Sequence, residues 1–157
     1  MRRKEREVTD IAEIKDVLDR CFAVHLGIVD EKRVYVVPVN FGYEEIEGKY
    51  VFYFHGAKAG RKYELLKNGA NIGFESCVDE KLMTADSACG YSAFYSSVIG
   101  EGYASEILQT EEKKKALNKI MFKSTGNGDW NFPSIMLLKV AVFKIEVSSL
   151  SCKKHRQ

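Results

Sequence analysis

The sequence is sparing with the residues that build metal sites and disulfide frameworks. Its 157 residues include four cysteines and three histidines. Cys21, Cys77, Cys89 and Cys152 form no C-x-x-C pair, and His25, His55 and His155 form no H-x-x-x-H pattern. The usual zinc spacings are therefore missing, and no metal is expected. Cysteines without a framework read as reduced thiols packed as small hydrophobes, the usage of a cytoplasmic protein. Charge of one sign is also scarce. The formal net charge is +2, too small to imply nucleic acid, and the basic runs "RRKER" and "CKKHRQ" carry no interleaved aromatics on which bases could stack. No apolar run approaches the ~20 residues of a membrane helix, so no membrane span is expected. The opening "MRRKEREVTD" has cations with no apolar segment behind them and does not read as a secretory signal.

What is present is an ordinary globular balance, with 45% hydrophobic and 29% charged residues. The length suits a single domain, 1–157, with one sizeable core. "DIAEIKDVLDRC" places Ile11, Ile14, Val17, Leu18 and Cys21 on one helical face, with Asp10 as N-cap and Glu13 as its capping-box partner. The period then changes to two. "CFAVHLGIV", "VYVVPVNFGY" and "YVFYFH" read as three strands joined by the polar turns "DEKR" and "EEIEGK". Pro38 marks an edge or a bulge, because it cannot donate to the ladder. "AGRKYELLKN" predicts a short helix stopped at Asn68-Gly69. "NIGFESCV" predicts a fourth strand, and "KLMTADSACG" a loop. "YSAFYSSVIGEGYAS" predicts a long fifth strand in which Gly100 and Gly102 mark bulges or close approaches. "TEEKKKALNKIMFKS" predicts a helix with acids first and lysines later, the arrangement its dipole favours. "IMLLKVAVFKIEV" predicts a final buried strand, and "SCKKHRQ" a frayed tail. The expected fold is mostly β, with about six antiparallel strands in a small barrel and about three helices at its rim.

One stretch carries chemistry. "FHGAKAGRK", residues 54–62, holds two glycines, a histidine and three cations directly after a strand. It is not a Walker A loop: Gly56 and Gly60 are separated by three residues rather than four, and Lys62 is followed by Tyr63. "GEGYAS" ends in Ser105 within a strand pattern and gives no dinucleotide fingerprint. Two readings of "FHGAKAGRK" stand on the residues alone. One is a phosphate grip, with Arg61 forking onto oxygens, Lys62 adding charge and glycines admitting the ligand to the backbone. The other is a solvated basic turn.

Four segments together resemble the flavin-binding split-barrel superfamily related to pyridoxamine 5′-phosphate oxidase, and within it the nitroimidazole-resistance branch. They are "MRRKEREVTD", "YVVPVNFGYE" (35–44), "YFHGAKAGRKYELLK" (53–67) and "YSSVIGEGYA" (95–104), in family order. The resemblance implies a six-stranded split barrel, a homodimer, and FMN at the subunit interface. It implies Arg61 and Lys62 as the phosphate-binding pair, with Phe54 and His55 on the strand end beside them. It implies Val39 and Asn40 along the flavin ring, Ser97 as a polar contact, and Trp130 as an aromatic reaching the flavin. His55 matches the family's active-site histidine. Bland roles stand beside these: Asn40 as a strand end, Ser97 as an ordinary strand residue, Trp130 as core, His55 as a structural group. The arginine-x-histidine substrate clamp of the vitamin B6 oxidases is not matched by "CKKHRQ". The implied activity is FMN-dependent reduction of a small-molecule acceptor, a nitroaromatic such as a 5-nitroimidazole in the resembling branch. The competing expectation is a non-catalytic carrier of FMN, another flavin or haem on the same fold.

Overall fold

The computed structural model describes residues 3–155; Met1, Arg2, Arg156 and Gln157, and with them the outermost cations of the two basic runs, lie outside the described residues. The elements run β1 (Glu7–Val8), α1 (Ile11–Arg20), β2 (Val24–Asp30), β3 (Arg33–Val39), β4 (Phe41–Ile46), β5 (Lys49–Ala57), α2 (Arg61–Leu66), β6 (Ala70–Met83), β7 (Ser92–Glu106), α3 (Thr110–Thr125), α4 (Ser134–Lys139) and β8 (Val140–His155). All strand pairings among the described residues are antiparallel.

The neighbours follow the order β3-β2-β6-β7-β8-β5-β4, with β1 added to β8. The two ends of that path, β3 and β4, are joined by Asn40 alone. One residue spans only a few ångströms, so the sheet must curl until its two edges meet there. That connection makes the sheet a barrel split between β3 and β4. Pro38 lies on the edge strand β3, as its missing N–H requires.

Period-two patterning sets which side chains fill the barrel. Val24, Leu26 and Ile28 from β2, Tyr50, Phe52 and Phe54 from β5, and Phe143 and Ile145 from β8 all face inward. Phe52 packs against Phe41 and Phe74 at centroid distances of 5.2 and 4.9 Å, and Phe54 stacks on Phe143 at 5.1 Å. Helix α1 turns Ile14, Val17 and Leu18 onto this core, and the Asp10 side chain accepts from the Glu13 N–H at 2.8 Å as its N-cap. On the outer side, α3 presents Ala116, Leu117 and Ile120 to a second cluster with Ile107, Leu137 and Val142. No described helix is long and apolar enough to cross a membrane.

Among the described residues the structure corrects the expected element count from about six strands and three helices to eight strands and four α-helices. Asn40 divides the second run into β3 and β4, and Glu7–Val8 pairs with Lys153–Cys152 as an extra short strand. "SIMLLK" is helix α4 rather than the start of the last strand. Strand β8 pairs with β5 from Val140 onward, where Ala57 is its last partner, so the residues before Val140 have no ladder to join and close their hydrogen bonds locally. Ser151–His155 is not frayed, because it pairs with β7 as far as Tyr95. Lys81–Met83 likewise continues β6 rather than forming a loop, beyond a bulge at which Asp79 takes φ 64°.

Candidate functional site

The turn between β5 and α2 is built on the barrel's cofacing aromatics. Phe54, fully buried, ends the inward row of β5, and the next residue, His55, points outward and is exposed. Gly56 falls back on the inward side, where a Cβ would lie 2.9 Å from the Lys62 Nζ. Its hydrogen therefore makes the space that Lys62 occupies. Gly60 has φ +89° and opens α2 from a conformation that side chains rarely adopt.

Arg61 and Lys62 come out of this turn in different states. Arg61 is already engaged: its Nε and Nη2 donate to Asp30 Oδ2 at 2.7 and 2.6 Å, and its guanidinium lies 4.6 Å from the Tyr35 ring centroid. Lys62 Nζ donates to the His55 carbonyl at 3.4 Å and lies 5.8 Å from the Phe54 ring centroid. Burial lowers the Lys62 pKa. A partly desolvated ammonium with a carbonyl and a ring face around it retains capacity for an anionic oxygen. The His55 pKa is lowered too, first by partial desolvation of the ring and then by Lys62, which keeps the imidazole neutral near pH 7.

The other residues named from the sequence divide into two sets. Phe41 pairs with Phe54, which brings Asn40 to the β5 strand end beside His55. The Asn40 amide donates to the Phe22 carbonyl at 3.2 Å. The Val39 side chain is buried in the barrel, as is that of Phe54, so what each offers a ligand is backbone. Ser97 and Trp130 lie elsewhere in the chain. Ser97 pairs with Cys77 and Lys153, at the far end of β8 from Val142, the partner of His55. Trp130 is tied to α3 and the loop after it, its indole N–H donating to the Asn127 carbonyl at 2.8 Å and its backbone N–H to Asn118 Oδ1 at 2.9 Å. Sequence reasoning missed Asp30 and Tyr35. Nothing local marks them; they meet Arg61 only because β2 and β3 curl round to the start of α2.

The family model described as pyridoxamine 5′-phosphate oxidase matches residues 10–154. The chain belongs to that family. No curated protein matches it by sequence. Among solved structures, a candidate 5-nitroimidazole antibiotic resistance protein from Bacteroides thetaiotaomicron is 29% identical, with TM-score 0.79 over 94% of this chain and 86% of that one. A flavocytochrome from Azotobacter vinelandii is 24% identical, with TM-score 0.82 over 100% of this chain and 72% of that one. An FAD and heme binding protein from Mycobacterium smegmatis is 16% identical, with TM-score 0.82 over 97% and 74%. These last two likenesses are of fold. Family membership covers the β5–α2 turn, the Asn40 link and the Ser97 strand together, so the expected site positions all lie within the matched segment.

Proposed function

We propose that this family member is a flavin-dependent oxidoreductase that holds FMN at the β5–α2 turn, as a homodimer, and passes electrons to a small-molecule acceptor. The observation that carries the reading is Lys62: a partly desolvated cation seated in space left by Gly56, beside Arg61, at the end of a strand. Arg61 and Lys62 would bind the phosphate, Arg61 exchanging or sharing its contact with Asp30. Backbone of Val39 and Phe54 and the Asn40 amide would line the ring. When bound, the flavin supplies the electron transfer. His55, neutral and exposed beside Lys62, would orient the acceptor or donate a hydrogen bond to it. Ser97 would contribute from the second copy, since it pairs at the opposite end of β8 from Val142, the partner of His55. A nitroaromatic is the acceptor class favoured by the likeness to the Bacteroides protein.

The purified protein should be yellow and release FMN on denaturation. Arg61→Ala and Lys62→Ala should each weaken FMN binding by roughly 1.5–3 kcal/mol, the range for hydrogen bonds to charged groups. A colourless protein that takes up neither FMN nor FAD sinks the proposal. A flavin-loaded protein that no nitroaromatic or quinone reoxidises after anaerobic reduction is a carrier rather than an enzyme.

A further inference from the structure

The two basic runs, which the proposed flavin site leaves unused, meet at one imidazole. Arg6, the last residue of "RRKER", and His155, in "CKKHRQ", lie 149 residues apart in the chain, yet Arg6 Nη2 is 3.1 Å from His155 Nε2. The other ring nitrogen, Nδ1, is 2.6 Å from the Ala93 carbonyl oxygen. Ala93 pairs with Leu82, beyond the β6 bulge. His155 itself ends β8 in register with Tyr95 of β7. One side chain thus ties together the N-terminal arm, the end of β8 and the outer part of β7.

These two contacts fix the protonation of the ring. A carbonyl oxygen accepts and cannot donate, so Nδ1 carries the hydrogen. A guanidinium donates and cannot accept, so Nε2 carries none and accepts from Arg6. The contact therefore requires a neutral imidazole in its Nδ1–H form. A second proton would set N–H against N–H and one cation against another. The Nε2 bond to Arg6 then breaks, while Nδ1 still donates to Ala93. The other charged or titratable groups around the ring are Glu5 and Glu7 on the arm, Glu13 and Arg20 on α1, Asp79 and Lys81 on β6, Tyr95 on β7, and Lys154 on β8. Lys154 donates to Glu13 at 2.9 Å, and Arg20 bonds Asp79. Carboxylates, lysines, arginines and phenols ordinarily keep their charge state between about pH 5.5 and 8, whereas an imidazole ordinarily changes there.

Beyond this contact, β1 gives the arm two ladder pairs, Glu7↔Lys153 and Val8↔Cys152, and one buried side chain, Val8. A strand that short is a marginal element. We propose that His155 is an acid-released clasp: protonation at Nε2 frees the N-terminal arm through β1 and leaves the end of β8 on β7. The clasp is independent of whatever the β5–α2 turn binds.

The test follows the full-length protein by NMR. At about pH 8 the His155 ring should show the Nδ1–H form in long-range nitrogen–proton spectra; a predominantly Nε2–H ring overturns the proposal. Between about pH 8 and about pH 5.5 the nitrogen heteronuclear NOEs of residues 6–8 should fall to those of a mobile segment, along the same curve as the His155 ring titration. Those of Lys153 and of α3 should hold. His155→Gln keeps a side-chain acceptor without the titration, so its arm should stay ordered at both pH values. Arg6→Met should leave the arm equally mobile at both. Wild-type NOEs that do not change with pH, or the same pH-dependent fall in His155→Gln, overturn the proposal. A fall shared by α3 is general unfolding and overturns it as well.

Discussion

The ionisable residues that matter most are held by neighbours from other elements. Arg20 of α1 bonds both Asp16, one turn earlier, and Asp79 at the β6 bulge, while Ser96 donates to Asp79 at 2.7 Å. Arg20 is the first cause lowering the pKa of each aspartate. A carboxylate depressed in the folded state stabilises above its unfolded pKa of about 3.9, and that contribution drains away as pH falls through the lower folded value. Chemical denaturation followed from pH 6 to pH 2 should therefore show an acid-side loss of stability, and Arg20→Met should flatten that limb. An unchanged limb in the variant would place the acid sensitivity elsewhere. His55 is the neutral-side counterpart. Its depressed pKa means stability is full above about 6.5 and declines as pH falls toward the folded value. By NMR its titration midpoint should lie below 6.5, and Lys62→Met should move it upward part of the way, because burial, the larger cause, remains.

At the scale of elements, the sequence showed most of what its periodicity encodes. The inward rows of β2, β5 and β8 and the apolar face of α1 are amphipathic patterns, and patterns of that kind are local. The α2 helix and its stop at Gly69, which has φ +79°, are likewise local turn chemistry. Helix α4 was not legible, because "SIMLLK" is apolar without a clear period and only Leu137 of its residues is buried. Whether such a run joins a ladder depends on whether a neighbouring strand is there to receive it. Packing between elements makes a sharp prediction at Gly42. A Cβ there would lie 2.4 Å from the Ile120 N and Lys119 C of α3, backbone that has little freedom to yield. Gly42→Ala should cost about 3 kcal/mol, the upper part of the usual range for overpacking, read from the denaturation midpoint. Phe52→Ala empties the junction between Phe41 and Phe74 and should cost about 3–5 kcal/mol.

At the scale of the whole molecule, His55 and Ser97 pair with opposite ends of β8. The proposed homodimer accounts for that by letting a second copy supply Ser97. Analytical ultracentrifugation should give a mass near twice 17.8 kDa; a monomer that still binds FMN tightly would remove Ser97 from the cofactor site. Ligand linkage gives a further measure. FMN at 100 times its dissociation constant should stabilise the fold by about 2.7 kcal/mol, which for a chain of this size is a rise in melting temperature of roughly 5–10 °C.

By itself the sequence determined the class of fold, the inward rows and the cationic turn "FHGAKAGRK", because alternation, helical spacing and glycine placement act over a few residues. Tertiary structure alone decided the rest. Only the curl of the sheet brings Asp30 and Tyr35 to Arg61, and the same curl gives Asn40 its task of joining the two barrel edges. Only the approach of Lys62 to Gly56 shows that the glycine makes room for a cation of its own chain. The physical reason is that burial and charge pairing depend on which distant segments become neighbours. For "FHGAKAGRK" those neighbours turned two like cations into an engaged arginine and an available lysine.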